Sequence, residues 1–218
     1  MLELKNITKK FGVRTILDDL NLQIPDGQIL AIVGPSGAGK TTLLRCLSGL
    51  ETPESGTFLL NGKPFKPTSP DNNEQIIGVV FQDYQLFPNL TVLENITLSP
   101  KLVLKQTKAE ANKKADELLK KLDLTGKEQL YPYQLSGGQQ QRVAIVRALA
   151  MEPQVLCYDE PTSALDPALR EKVSQIILNL KDEKMTQVIV THDMDFAKQT
   201  ADKIFTVNAL DAVGGEAN

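Results

Sequence analysis

The segment that most constrains this chain is GPSGAGKT, at residues 34–41, between the apolar run ILAIV and the leucine-rich run TTLLRCLSGL. It matches G-x-x-x-x-G-K-[ST] in the strand–loop–helix context that this motif requires. In that context the backbone N–H groups of the loop wrap phosphate oxygens, Lys40 reaches the β- and γ-phosphates, and Thr41 offers its hydroxyl to Mg²⁺. A glycine-rich turn with an incidental lysine is the alternative, which the complete match disfavours. The sequence therefore predicts nucleoside triphosphate binding.

A second candidate phosphate site lies at the start of a predicted helix, in QLSGGQQQRVAIVRAL at residues 134–149. Ser136 is a good N-cap, and Gln139 three residues later completes a capping-box pattern. Gly137 and Gly138 fill the first turn, where each glycine costs about 1 kcal/mol relative to alanine. Their bare backbone leaves N–H groups open to a ligand at the positive end of the helix dipole. The chain is therefore predicted to carry two separate anion-binding surfaces.

Several polar side chains follow apolar runs that we predict to be strands. Asp159 and Glu160 end VLCYDE, where Asp159 could hold Mg²⁺ and Glu160 could orient and polarise an attacking water. His192 ends QVIVT and could contact the γ-phosphate, although a lone histidine after a strand is more often structural. Gln82 follows IIGVVF and could ligate Mg²⁺ or water. Phe11 could stack on adenine or belong to the core.

Alternating apolar strands and amphipathic helices predict an α/β fold with a mainly parallel sheet. Residues 1–33 and an Asn61-Gly62 hairpin signal predict an N-terminal antiparallel β subdomain. IIGVVFQ predicts a buried strand that ends at Gln82, and the pattern is helical from about residue 86 to 151. We expect a single domain over residues 1–218, with a core at roughly 1–84 and 153–218 and an inserted helical subdomain at roughly 85–152.

The helices are predicted from their caps and apolar faces. Thr107 and Glu110 form a capping box, and Asp166 caps a helix that has Pro167 at its first position. Apolar positions at helical spacing are predicted to face inward. They are Leu43, Leu44, Leu47 and Leu50 on the helix after the P-loop, Ala111, Ala115, Leu118, Leu119 and Leu122 on the helix capped by Thr107, and Val173, Ile176, Ile177 and Leu180 on the helix capped by Asp166. A weaker strand, KIFTV, and a polar tail after Asn208 complete the chain.

Composition excludes several classes of protein. The net charge of −3 gives no broad surface for nucleic acid, so we expect no nucleic-acid partner. No apolar run approaches the roughly 18 residues needed to span a bilayer, and the N-terminus lacks the apolar stretch of a signal peptide. Both cysteines, Cys46 and Cys157, lie in apolar segments, which predicts core thiols in a reducing cytosol and disfavours a disulfide or a metal pair.

With these motifs in this order, the sequence resembles the ATP-binding cassette family, the ATPase subunits of ABC transporters. The matching stretches, from Phe11 to about Asp202, are GPSGAGKT (Walker A), Gln82 (Q-loop), LSGGQ at 135–139 (the signature), VLCYDE at 155–160 (Walker B), SALD at 163–166 (D-loop) and His192 (the switch histidine). The resemblance implies ATP and Mg²⁺ as cofactors. It also implies that two domains pair head to tail, with each ATP between the P-loop of one copy and the signature of the other.

The resemblance also assigns roles to residues. Glu160, His192 and Gln82 are implied to be catalytic, and the implied Mg²⁺ ligands are Thr41, Gln82 and Asp159. Ser136, Gly137 and Gly138 are implied to hold the γ-phosphate of the partner's ATP. The other implied nucleotide contacts are Phe11, Val13, Gly34, Pro35, Ser36, Gly37, Ala38, Gly39, Lys40, Thr41, Thr42, Gln139 and Asp166.

A narrower likeness points to the importer ATPases for polar amino acids, carried by FQDYQLFPNLTVLENITLSP, YPYQLSGGQQQRVAIVRALAMEP and DEPTSALDP. It implies a peripheral subunit at the cytoplasmic face of the membrane. Its implied partners are a second cassette, most simply an identical copy, an integral membrane permease and, indirectly, a substrate-binding protein. Leu86, Phe87 and Pro88 are candidates for the permease contact, unless they only pack the helical part onto the core.

Three alternatives stay open from the sequence. The same motor could drive a lipoprotein-releasing or peptide-exporting complex. A soluble ABC protein of translation or DNA maintenance is disfavoured, because the chain has one cassette and no sustained heptads between Thr41 and Leu135. A P-loop kinase does not account for LSGGQ. Two departures from the family pattern are Phe11, where tyrosine is frequent, and Asp193, where glutamate is common. The C-terminal ADKIFTVNALDAVGGEAN also lacks the usual glycine turn and closing strand.

Overall fold

The computed structural model describes residues 1–67, 76–163 and 165–207. Its strands are β1 (Leu2–Phe11), β2 (Arg14–Ile24), β3 (Ile29–Val33), β4 (Ser55–Leu60), β5 (Lys63–Phe65), β6 (Ile77–Val80), β7 (Val155–Asp159), β8 (Thr186–Thr191) and β9 (Lys203–Thr206). Its α-helices are α1 (Lys40–Leu47), α2 (Val92–Leu102), α3 (Lys108–Lys121), α4 (Gly137–Leu149), α5 (Pro167–Asp182) and α6 (Met194–Thr200), with a short 3₁₀ turn at Pro132–Gln134.

The strands form two sheets, as the sequence predicts. One is parallel, in the order β6-β7-β8-β3-β9, and the other is antiparallel, in the order β2-β1-β4-β5. Asn61 and Gly62, with φ of 51° and 75°, form the two-residue turn between β4 and β5. Because parallel strands share one polarity, the residues that follow β3, β6, β7 and β8 meet at one edge of the sheet.

Hydrophobic residues of the parallel sheet alternate between its two faces, and each face is covered. Leu156 and Tyr158 belong to a cluster that includes residues of α3, α4 and α5, whereas Cys157 packs with α1 and the antiparallel sheet. Since one cluster joins the sheet to the helices between α2 and α4, packing does not separate a helical part from the core. The division into a core and an inserted helical subdomain therefore stays a prediction.

The helix signals are confirmed with a few corrections. Thr107 and Glu110 form the capping box of α3, and the side chain of Asp166 accepts a hydrogen bond from the backbone N–H of Leu169 in α5. Every predicted stripe residue of α3 and its end is buried. The prediction that Leu50 faces inward on α1 is wrong. The helix ends at Leu47, and Leu50 is exposed because Gly49, at a φ of 74°, turns the chain away.

The other differences concern strand ends and the tail. The sequence predicts that this strand ends at Gln82. In the structure β6 ends at Val80, so Gln82 lies two residues beyond the strand. Within α5, Ile176 is only partly buried, while Val173, Ile177 and Leu180 are buried. Both cysteines are buried and free, as predicted, and burial raises the pKa of Cys46 to about 11. The expectations for the polar tail after Asn208, and for Ala164 within SALD, lie outside the described residues.

Across the described part of the chain, no helix combines the length and apolar character needed to cross a lipid bilayer.

Candidate functional site

A cavity of about 490 Å³ opens at the carboxyl edge of the parallel sheet. Its position follows from the sheet order, because the loops after β3, β6, β7 and β8 all begin there. The residues that line it are Phe11, Arg14, Ile16, Ser36, Gly37, Gly39, Lys40, Thr41, Thr42, Gln82, Glu160 and His192. Segments from five separate stretches of sequence therefore meet around one space of the size that small-molecule ligands fill.

The loop between β3 and α1 is shaped by its glycines. Gly37 and Gly39 have φ of 79° and 92°, in the left-handed region that favours glycine. A Cβ on Gly34 would lie 2.3 Å from the carbonyl oxygen of Val207, so no side chain fits there. α1 begins without any side-chain cap, which leaves its first backbone N–H groups directed at the cavity mouth.

Lys40 is the first residue of α1 and is only 7% exposed. Its ammonium group donates to the carbonyl oxygens of Gly34, at 2.8 Å, and Pro35, at 3.0 Å. The charge is therefore held against the loop that precedes the helix, beside the helix N-terminus. This arrangement concentrates positive potential at one point of the cavity wall, where an anion would be stabilised.

Thr41 and Asp159 are brought together from opposite ends of the sequence. The Thr41 hydroxyl donates to Oδ1 of Asp159 at 3.3 Å, and burial raises the pKa of the Asp159 carboxyl above its usual value. Gln82 donates through Nε2 to the Ser163 hydroxyl at 3.2 Å. Thr41, Gln82 and Asp159 also share the wall of a second cavity of about 520 Å³.

These three residues offer hydroxyl, amide and carboxylate oxygens, which are the ligands that Mg²⁺ takes when phosphates complete its shell. Within the described residues, no group of three or more His, Cys, Asp and Glu side chains could hold a metal ion on its own. The donor set therefore fits a cation that arrives with a phosphate ligand.

Glu160 and His192 form a contact at the far wall of the cavity. Oε2 of Glu160 lies 2.9 Å from Nδ1 of His192, and it accepts the Thr191 hydroxyl at 3.2 Å and the His192 backbone N–H at 3.3 Å. Glu160 has a φ of 48°, a conformation uncommon for a residue with a side chain, and its N–H donates to the carbonyl of Val190 at 2.8 Å. One carboxylate oxygen is thus fixed by the protein, and Oε1 has no such partner among the described residues.

Phe11 lies at the rim of the cavity and is 48% exposed, which excludes a core position. The Lys9 ammonium group sits 4.9 Å from the centroid of the Phe11 ring. Val13 is fully exposed and does not line the cavity.

The second helix start lies apart from this cavity. Ser136 caps α4 by accepting the Gln139 N–H at 3.4 Å, while the Gln139 side chain accepts the Ser136 N–H at 2.9 Å. Gly137 is exposed, but Gly138 is buried against Leu169 of α5. The missing side chain at Gly138 therefore makes room for Leu169, whereas at Gly137 it leaves the backbone exposed.

Comparison with known proteins identifies the family to which these motifs belong. The model of the ABC transporter family matches residues 17–163, which is more than half of the chain. The chain belongs to the ABC transporter family. This cassette is 49% identical over 210 residues to the L-cystine transport system ATP-binding protein of Escherichia coli, covering 93% of this chain and 84% of that protein. It is 46% identical over 210 residues to the glutamine transport ATP-binding protein of Bacillus subtilis, covering 95% and 87%.

Solved structures agree with the fold. A dimeric structure of a bacterial ABC transporter cassette superposes with a TM-score of 0.81 at 38% identity, covering 96% of this cassette and 95% of that chain. A dimeric structure of the same cassette in a post-hydrolysis state, bound to ADP and Pi, gives a TM-score of 0.81 at 37% identity, covering 96% of both chains. The α/β fold predicted from the sequence is thereby confirmed, and this ABC cassette is an ATPase by family.

Not every implied nucleotide contact lines the cavity of this ABC cassette. Ser36, Gly37, Gly39, Lys40, Thr41, Thr42, Phe11, Gln82, Glu160 and His192 line it, whereas Gly34, Pro35, Ala38, Val13, Ser136, Gly137, Gly138, Gln139 and Asp166 do not. Arg14 and Ile16 line it and were missed by sequence reasoning. Both belong to β2, whose alternating pattern identifies a strand but carries no signal of a site.

Proposed function

We propose that this ABC cassette is the ATP-hydrolysing motor of an importer for polar amino acids. The observation that carries the proposal is the cavity in which Lys40 and an uncapped helix start face the Glu160–His192 pair. The P-loop side offers positive charge and backbone donors for phosphate, and the opposite wall offers a carboxylate for water. Phosphoryl transfer to water needs both of these, held on either side of the phosphate.

On the binding side, the loop from Gly34 to Thr42 cradles the phosphates, and the Lys40 ammonium group exchanges the carbonyls of Gly34 and Pro35 for phosphate oxygens. Phe11 stacks on the adenine, since about half of its surface is free at the cavity rim. Thr41, Asp159 and Gln82 would hold Mg²⁺, directly or through water. The cation supplies charge neutralisation at the phosphate oxygens when it is bound.

On the reaction side, Glu160 accepts the proton of the attacking water. Because Thr191 and His192 hold Oε2, the plane of the carboxylate is fixed, and Oε1 is open to the water. His192 orients this carboxylate through Nδ1, which leaves its other ring nitrogen free to face the γ-phosphate. Gln82 also lines the cavity, and it donates to the hydroxyl of Ser163, which lies beyond the end of the Walker B strand β7. This contact would respond to the nucleotide bound in the cavity.

We further propose that two copies pair head to tail, so that Ser136, Gly137, Gly138 and Gln139 contact the ATP of the partner. The position of the signature supports this, because it lies outside the cavity of its own chain and its first glycine is exposed. The dimeric cassettes among the solved relatives support it as well. ATP then forms part of the interface, so binding closes the pair and hydrolysis opens it.

The relatives' names support the substrate class. Several proteins that are 46–49% identical to this chain are named for the transport of L-cystine, glutamine or arginine. The same motor chemistry could serve an exporting complex, and only the surface that contacts the membrane subunit separates the two. Co-purification with a permease of exporter type would overturn the importer proposal.

The segment after Gln82 is our candidate for that surface, at the cytoplasmic face of the membrane. Leu86 is half-buried and packs on the hydrophobic cluster of α4, whereas Phe87 is exposed beside a cavity of about 430 Å³. The sequence left open whether this segment packs within the cassette or contacts the permease. Leu86 supports internal packing, whereas the exposed Phe87 is available to the permease. The substrate-binding protein would act through that permease.

The test of this proposal is the mass in solution of the Glu160→Gln protein, measured by light scattering with and without Mg-ATP. The amide cannot accept the proton of water, so hydrolysis should fall by about 100-fold or more while ATP stays bound. We expect the mass to double on adding Mg-ATP and to return to that of one chain on adding Mg-ADP. A protein that binds ATP and stays monomeric would contradict head-to-tail pairing of identical copies.

A further inference from the structure

Gln141 is a buried polar residue to which neither the signature nor any other motif of the sequence assigns a role. It lies in α4, five residues after the N-cap Ser136, and is only 1% exposed. Its amide Nε2 donates a hydrogen bond to the backbone carbonyl of Pro161. The contact joins the helix that begins at the signature to the residue that directly follows Glu160.

The other polar atom of this side chain is unsatisfied. Oε1 of Gln141 is buried and has no hydrogen-bond partner among the described residues. A buried acceptor without a partner carries a desolvation cost, which an apolar side chain of similar size would avoid. Packing alone therefore does not explain a glutamine at this position, and the bond to Pro161 is what distinguishes it from methionine or leucine.

Pro161 is well placed to control Glu160. Proline has no backbone N–H, so its carbonyl is the one backbone group through which the chain can be held there. Glu160 adopts a φ of 48°, and the Ser163 N–H closes a turn onto the Glu160 carbonyl at 3.1 Å. The Pro161 carbonyl lies within this turn, so a shift of that carbonyl would displace the turn that carries the Glu160 side chain.

A second contact fixes the same segment to the same helix. Leu169 of α5 fills the space that a side chain on Gly138 would need, with its Cδ2 atom 2.7 Å from that Cβ position. The chain from Pro161 to Leu169 is therefore held by α4 at both ends. A displacement of α4 would be transmitted to the turn that carries Glu160.

We propose that Gln141 is a positioning residue for Glu160, which it holds at the His192 contact by anchoring Pro161 to the signature helix. This inference rests on the proposed role of Glu160 in hydrolysis. Through this link, the helix whose N-terminus faces the partner's ATP would also orient the general base of its own site.

The variant that tests the link is Gln141→Met, which keeps the length of the side chain and removes the donor. The matched control is Gln175→Met on the exposed face of α5, where the amide donates to the Asn179 side chain of the same helix. If Gln141→Met does not fold at the temperature used, Gln141→Leu replaces it. Thermal unfolding of each variant establishes that the comparison is made on folded protein.

The first readout does not depend on activity. His192 is the single histidine of the chain, so its imidazole gives one set of NMR signals that needs no assignment. Its contact with Glu160 is broken or weakened in Glu160→Gln, which provides the reference position of these signals. We expect the His192 signals of Gln141→Met to move toward that reference at constant pH, and those of Gln175→Met to stay at the wild-type position.

The second readout is steady-state hydrolysis of Mg-ATP. A carboxylate displaced from its productive position should lower kcat by about tenfold while KM for ATP stays within about twofold, since Gln141 does not line the cavity. Unchanged His192 signals in the folded variant would overturn the proposal, as would a parallel loss of ATP affinity and stability. Absence of hydrolysis in the wild-type chain would count against the proposed function instead, and the NMR readout would still decide the role of Gln141.

Discussion

The N-termini of α1 and α4 are both candidates for phosphate, but they are built in opposite ways. α1 starts after Gly39, with no side-chain cap, and its first residue is the buried Lys40. α4 starts with a complete capping box, in which Ser136 and Gln139 satisfy each other's backbone N–H groups. The first end has no side-chain cap and opens onto a cavity, whereas the second has a side-chain cap on its Gln139 N–H and lies outside that cavity.

This difference indicates what each end can do alone. The N-terminus of α1 can bind phosphate within one chain, because its backbone donors have no side-chain cap among the described residues and its lysine is already in place. At α4 the Gln139 N–H already donates to the Ser136 carbonyl at 2.9 Å and, more weakly, to the Ser136 hydroxyl at 3.4 Å, so a ligand is left mainly with the N–H groups of the two glycines. A capped, exposed helix end is suited to a ligand that a second chain brings to it.

The largest effect should follow from removing the charge at α1. Lys40→Ala should weaken Mg-ATP binding by about 100-fold or more, because the ammonium group is the only cationic side chain of the P-loop segment itself. Isothermal titration calorimetry measures the affinity. The control is Lys108→Ala at the exposed start of α3, which should bind as the wild type does. If Lys40→Ala bound Mg-ATP with normal affinity, the contrast between the N-termini of α1 and α4 as phosphate sites would be wrong.

A smaller effect on binding, with a large one on turnover, should follow at α4. Ser136→Arg should leave ATP affinity of the single chain within about twofold and lower hydrolysis by about 100-fold, since the bulky side chain blocks the site that the partner needs. Thr107→Arg is a matched control, because it destroys the equivalent capping box of α3 at a similar cost of about 1 kcal/mol. If Ser136→Arg binds ATP as poorly as Lys40→Ala, the signature serves its own chain and the cross-subunit proposal is wrong.

The smallest effect separates the two glycines of α4. Gly137→Ala should raise stability by up to about 1 kcal/mol, since the nearest atom to the new Cβ is the Tyr84 hydroxyl at 3.7 Å. Gly138→Ala should gain nothing, because Leu169 must move away from a position 2.7 Å from the new Cβ. Thermal unfolding without nucleotide should give Tm values about 2–4 °C apart. Equal Tm values would mean that Leu169 adapts freely and that α4 is not closely held by α5.

Most of the fold could be predicted from the sequence, because its signals are local. Capping boxes, the Asn61-Gly62 turn and the buried strands each depend on residues within a few positions of one another. Helix ends were less predictable: the apolar spacing that continues to Leu50 does not record that Gly49 ends α1. The family resemblance added the pairing of motifs, which local patterns do not contain.

The candidate site was predicted in its parts and less well in its arrangement. Glu160, His192 and Lys40 were recognised because each follows or precedes a strand in a motif, and they do line one cavity. Arg14 and Ile16 could not be recognised, since they enter the cavity only through the placement of β2 over the P-loop. Val13, which the resemblance implies as a nucleotide contact, is exposed at the turn after β1 and does not line the cavity, so that contact stays a prediction.

By itself the sequence determined which segments become strands and helices and which polar residues end the strands, because these depend on neighbours along the chain. Only the tertiary structure decided which of these residues meet. The order β6-β7-β8-β3-β9 brings Thr41 to Asp159 and Glu160 to His192, and it leaves the signature outside their cavity. It also placed Gln141 against Pro161, twenty residues away. The physical reason is that sheet order and helix packing result from burying apolar faces across the whole chain, which no local pattern records.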